Sequence, residues 1–205
     1  MIEITSPQSP LSRARLLEYL TVGWNAVEAA VAITAGSLAG STSLVGFGLD
    51  SIIESLSGGV LLWRLRDGDI GEERERRAQK LVGLSFFVLA AYVAYESAES
   101  LIQREAAAVS LVGIALAVAS IIVMPILARK KRAVSRELGS LAMESDSRQT
   151  DLCAYLSVVL LAGLGLNALF GWWWADPAAA LGMVVIMISE GIRALRGEQC
   201  DTCHP

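Results

Sequence analysis

Disulfide bridges, a water-facing surface and a cleavable leader are all poorly provided for in this sequence. Three cysteines, Cys153, Cys200 and Cys203, do not make a disulfide framework. Charged residues are only 19% of the chain and cluster between apolar runs, too few to cover the outside of a soluble domain. Residues Met1 to Arg15 are polar and lack the apolar core of a secretory signal, so the first apolar stretch is expected to drive insertion by itself. The period-two alternation of a membrane barrel is absent. No nucleotide loop, nucleophile elbow or metalloprotease motif occurs. The chain is therefore not expected to be an enzyme, to bind nucleic acid or to hold a resident cofactor.

What is present is hydrophobicity: 54% of the 205 residues, with a mean hydropathy of +0.51. A bilayer core needs about 20 apolar residues per helix. Six stretches meet that need: Leu16–Ala39, Ser43–Leu65, Leu81–Leu101, Val109–Ala128, Leu141–Phe170 and Pro177–Leu195. The fold class expected is an all-α membrane protein, a six-transmembrane-helix bundle. Residues 1–15 form an N-terminal segment, 16–196 the membrane domain and 197–205 a Cys/His tail.

Orientation follows from the basic residues. Fifteen of the 17 Lys and Arg fall before the first stretch, in the connectors Arg64–Lys80 and Arg129–Gly139, or at and just beyond the end of the sixth stretch (Arg193 and Arg196). Basic loops stay on the cytoplasmic side, so both termini are expected there. Trp172, Trp173 and Trp174 then lie at the outer interface, where amphipathic rings collect.

Ionisable residues inside apolar helices are costly, about 2.5–3.5 kcal/mol each at mid-span on insertion scales. Asp50 and Glu54 stand four apart in the second stretch, on one helical face, with Ser57 continuing it. Two ionised carboxylates one turn apart repel; a dication or protons relieve this. The alternative is a pair of helix-packing hydrogen bonders. In the fifth stretch Asp146, Gln149, Thr150 and Cys153 share a face, and carboxylate, amide, hydroxyl and thiolate are all ligand types. Glu144, Arg148 and Asp151 lie off that stripe; the other reading is a polar helix start, with Arg148 snorkelling to water. Glu18, Thr21, Asn25 and Glu28 form a similar stripe in the first stretch, with Glu18 placed near the cytoplasmic interface. Asn25 and Glu28 are suited equally to lining a pathway or to packing. Glu96 and Glu99 fit an exit vestibule or an interface, and Glu190 reaches cytoplasmic water. Gly36 and Gly40 make a weak small-residue packing signal. In the tail, Cys200, Cys203 and His204 match a haem-attachment spacing, but a cytosolic clip for zinc-like ions or an unliganded tail fits the topology better.

The sequence resembles the cation diffusion facilitator, or cation efflux, family from Leu17 to about Leu195. The similarity is strongest in STSLVGFGLDSIIESLSGG, where Asp50 and Glu54 match the family's acid-x-x-x-acid metal pair. YESAESL, with Glu96, and WADPAAAL, with Asp176 and Pro177, resemble the family's third-helix end and sixth-helix start. The family's fifth helix carries His-x-x-x-Asp or Asp-x-x-x-Asp. Here Gln149 and Cys153 fall closest to those places, and a shift of two gives Ser147 and Asp151. The soluble C-terminal domain of the family has no counterpart, as in its short forms. The resemblance implies a divalent-cation exporter of the cell (plasma or inner) membrane, exchanging metal for protons by alternating access. Its ligands would be Asp50, Glu54 and Cys153, with Gln149, Asp146 or Asp151 completing the shell. Zinc leads because of Cys153 and the tail; cadmium, cobalt, manganese and iron(II) follow. Family members form homodimers, which here the membrane helices alone would hold. A non-transporting metal sensor or scaffold, a haem protein and an organic-cation carrier are the rival readings.

Overall fold

The computed structural model describes residues 9–67, 72–104 and 106–196; the Cys200, Cys203 and His204 tail lies outside them. The described residues form six helices: α1 (Pro10–Ala39), α2 (Thr42–Asp67), α3 (Glu72–Gln103), α4 (Leu111–Leu138), α5 (Leu141–Phe170) and α6 (Ala175–Arg196). Three of the helices have a local cause at both ends. Ser9, Ser110 and Ser140 accept backbone N–H groups at the starts of α1, α4 and α5. Left-handed Gly40, Gly139 and Gly171 end the same helices, a conformation that glycine adopts without steric cost.

Three boundaries differ from expectation by six residues or more. Helix α3 starts at Glu72, nine residues before Leu81 and inside the expected connector, because its opening Glu, Arg, Ala, Gln and Lys residues are good helix formers. Helix α1 starts six residues early, at Pro10, because Ser9 caps it and Pro10 supplies a preset first turn. Residues 129–138, expected as a connector, continue α4. Arg, Lys, Ala and Glu are good helix formers, and nothing stops the helix before Gly139. Gly40 is likewise a cap, with open space around it, whereas Gly36 packs against Val45.

Among the described residues α1, α2, α4, α5 and α6 are long and apolar enough to cross a bilayer. Helix α3 opens with a charged third, and its apolar part runs beside α6 and α2. Helix α2 is central, packed on α1, α3, α5 and α6, while α4 closes against α1 and α5. The distribution of polarity is the reverse of a soluble bundle. Val27, Val88, Ile122, Val158 and Val185 are exposed, while Glu18, Glu28, Asp50, Glu54, Lys131 and Asp146 are buried. Hydrocarbon solvates the first set and cannot solvate the second.

The two ends of the bundle are tied separately. At one end Arg13 pairs with Glu137, and Arg15 donates to the Leu65 carbonyl at 3.2 Å, joining the start of α1 to the ends of α4 and α2. At the other end the Ala108 amide donates to the Ala39 carbonyl at 2.8 Å, and Asn167 donates to the Ala107 carbonyl at 2.8 Å. Buried Asp176 accepts from Ser41 at 2.6 Å and also from Ser43. The bundle therefore runs up and down: the start of α1 and the α4–α5 connector share one face, and the three short connectors share the other.

Candidate functional site

A column of polar side chains runs through the bundle between α1, α2, α4 and α5. Its upper part gathers around Glu28, which is fully buried on α1. Ser51 of α2 donates to Glu28 at 3.3 Å, Ser120 of α4 donates to it, and the Cys153 thiol of α5 lies 3.7 Å from its Oε2. Four helices therefore converge on one carboxylate. Cys153 also faces Glu54 and Asp50, both buried on α2.

Glu54 is 2% exposed, and neither of its oxygens has a hydrogen-bond partner. Its charged neighbours are Lys131, Asp146 and Glu28. An orphaned buried carboxylate costs at least about 1–3 kcal/mol, and more if ionised without a counter-charge. Asn25, one turn from Glu28, is also buried with both side-chain polar atoms unpaired.

The lower part of the column lies toward the end where α1 starts. Lys131 of α4 is 0% exposed. Its ammonium reaches Glu18 of α1 at 3.1 Å, Asp146 of α5 at 2.5 Å and the Thr150 hydroxyl at 3.4 Å. Three donors thus meet three acceptors. Asp146 and Cys153 are separated by seven residues, about 10 Å of helix.

Helix α5 turns Asp146, Ser147, Thr150, Cys153 and Ser157 inward. Gln149 is half-buried at the edge, with its Nε2 buried and unpaired. Asp151 turns to α4 and pairs with Arg132, and Arg148 pairs with Glu144. Cys153 and Thr150 are thus brought toward Glu54 from α5, and Cys153 also neighbours Asp50. Asp146 is engaged with Lys131, and Asp151 points elsewhere. Among the described residues no three Cys, His, Asp or Glu side chains stand in an arrangement that could hold one metal ion.

Several placements depart from the sequence reading. Glu18 is buried against Lys131 rather than sitting at the interface. Lys131, counted among the cytoplasmic loop charges, is inside the bundle. Glu190 is mostly buried and pairs with Arg193 at 2.6 Å. Glu96 and Glu99, by contrast, do not depart from the reading: they line a cavity of about 460 Å3 between the end of α1, the start of α2 and the end of α3. Ser120 and the role of Lys131 went unrecognised. Extending the apolar face Met124, Leu127, Ala128 by one more turn would have pointed to Lys131.

This architecture defines a polytopic helical membrane protein with a charged interior. The cation efflux transmembrane domain matches residues 19–197, and the chain belongs to that family. It is 26% identical over 192 residues to an uncharacterized transporter of Synechocystis sp. (strain ATCC 27184 / PCC 6803 / Kazusa), a match covering 89% of this chain. The chain spans under two thirds, 62%, of the length of that relative.

Proposed function

We propose that the protein carries a zinc-like divalent cation across the membrane in exchange for protons. The observation that carries this reading is Glu54: a buried carboxylate with two unpaired oxygens, beside Asp50 and facing the Cys153 thiol. Family membership agrees with it. Asp50 and Glu54 supply two negative charges to match a dication, and Cys153 supplies a soft ligand that favours zinc and cadmium over magnesium or calcium. Glu28, held by Ser51 and Ser120, is the fourth buried donor within reach of Cys153. The ligand shell is assembled on binding, by rotation of these side chains toward one ion.

Exchange follows from charge balance. With the dication gone, protons must return to carboxylates held in hydrocarbon. Rocking of the helices would open the same site to each face in turn.

The test is flux of Cd2+ into liposomes containing the full chain, with an opposing proton gradient. Uptake that depends on Asp50 and Glu54 and acidifies the outside is the expected result. Equal uptake by Asp50→Asn with Glu54→Gln would sink the site. Binding without flux would favour the sensor reading.

A further inference from the structure

We infer that Lys131 is a tethered cation that occupies a second, oxygen-lined cation site on the pathway. Glu18 and Asp146 face each other across the Lys131 ammonium, with the Thr150 hydroxyl as a third oxygen. Two carboxylates and a hydroxyl are the ligand set of a hard divalent ion. The ammonium sits where such an ion would sit. The lysine is fully buried, as are Glu18 and Thr150, so this is not a surface salt bridge. Glu18 Oε1 is buried and makes no hydrogen bond, so the pocket holds more oxygen than Lys131 uses.

The position gives the arrangement its role. Asp146, Thr150 and Cys153 follow one another up the inward face of α5, and Glu18, Thr21, Asn25 and Glu28 up that of α1. Glu54 interacts with Lys131 below and with Glu28 above. A cation moving between this end of the bundle and Glu54 therefore meets Lys131 first. It must displace the ammonium from Glu18 and Asp146 before it can pass. Lys131 offsets one of the two negative charges of Glu18 and Asp146 while the pathway is idle, and it denies the site to abundant hard ions that pair with oxygen alone. The inference rests on the proposed cation route for its role, but the site itself can be tested without transport.

The experiment counts bound Mn2+ by electron paramagnetic resonance, using the full chain in lipid nanodiscs. Every arm carries Cys200→Ser and Cys203→Ser, so that the tail does not contribute. Lys131→Gln should bind one more Mn2+ per chain than its parent, and adding Asp146→Asn should remove that gain. Lys131→Arg, which keeps the charge, should bind no extra ion. The gain should persist in the Asp50→Asn, Glu54→Gln background, where the site of the proposed function is gone, so the two ideas fail separately. A folded Lys131→Gln with no extra Mn2+, or a gain in Lys131→Arg, overturns the inference. Should Lys131→Gln not fold, Lys131→Arg decides. Its forked head ties the carboxylates more firmly, so Cd2+ uptake at subsaturating metal should fall at least tenfold; unchanged uptake overturns the inference.

Discussion

At the residue scale the proposed chemistry rests on Glu54 and Cys153. Glu54→Gln preserves shape and replaces a charge with an amide, so folding should survive while Cd2+ flux in liposomes falls by about a hundredfold or more, the loss of a principal anionic ligand being worth about 3 kcal/mol or more. Retention of more than a tenth of parental flux would count against Glu54 as a ligand. Cys153→Ser exchanges a soft donor for a hard one. The Cd2+ to Mn2+ uptake ratio should drop at least tenfold, and a ratio that stays put would remove the thiol from the shell. Cys153 is also fully buried. In a Cys200→Ser, Cys203→Ser chain it should react slowly with a membrane-permeant maleimide, and more slowly still with Cd2+ present. Fast labelling indifferent to Cd2+ would place it off the route.

Elements are held by close backbone approach as much as by side chains. A Cβ added at Gly191 of α6 would lie 2.9 Å from the Phe87 ring and 3.1 Å from the Gly83 carbonyl oxygen of α3. Gly191→Val should therefore destabilise the chain by about 1–3 kcal/mol. Gly165 of α5 has nothing within 4 Å of its Cβ direction, and Gly165→Ala should be neutral or slightly stabilising. Unfolding midpoints in mixed micelles measure both; equal effects would mean that α3 and α6 do not pack this closely. Close approach of this kind was only partly legible in the sequence. Glycines invite contact, but Gly36 makes one and Gly40 caps a helix, and spacing alone does not separate the two. The extension of α4 was hidden for a related reason. A run of arginine and lysine reads as a loop by charge, yet those residues are helix formers, and only the packing of α4 on α1 and α5 shows which of them is inside.

For the whole molecule, the proposed ligand binding and folding are linked. A dication held by Asp50 and Glu54 as proposed would bind the folded bundle and not the unfolded chain. At a hundredfold excess over its dissociation constant it should stabilise by about 2.7 kcal/mol. Protons compete for the same carboxylates and thiol, so the metal-induced rise in melting temperature should be larger at neutral pH than in mild acid. A rise that is the same at both, or that persists in Asp50→Asn with Glu54→Gln, would place the stabilising metal elsewhere.

By itself, the sequence determined the class of the protein: a membrane bundle of six helices, their up-and-down order, and the Asp50 and Glu54 pair on α2. These are properties of length, period and charge placement, which act locally along the chain. Tertiary structure alone decided the partners. It turned Cys153 inward and Asp151 out to Arg132, brought Glu28 of α1 to the same point, and set Lys131 between Glu18 and Asp146. A helix presents every residue to some direction, and only the neighbours packed around it decide which direction is hydrocarbon and which is the charged interior.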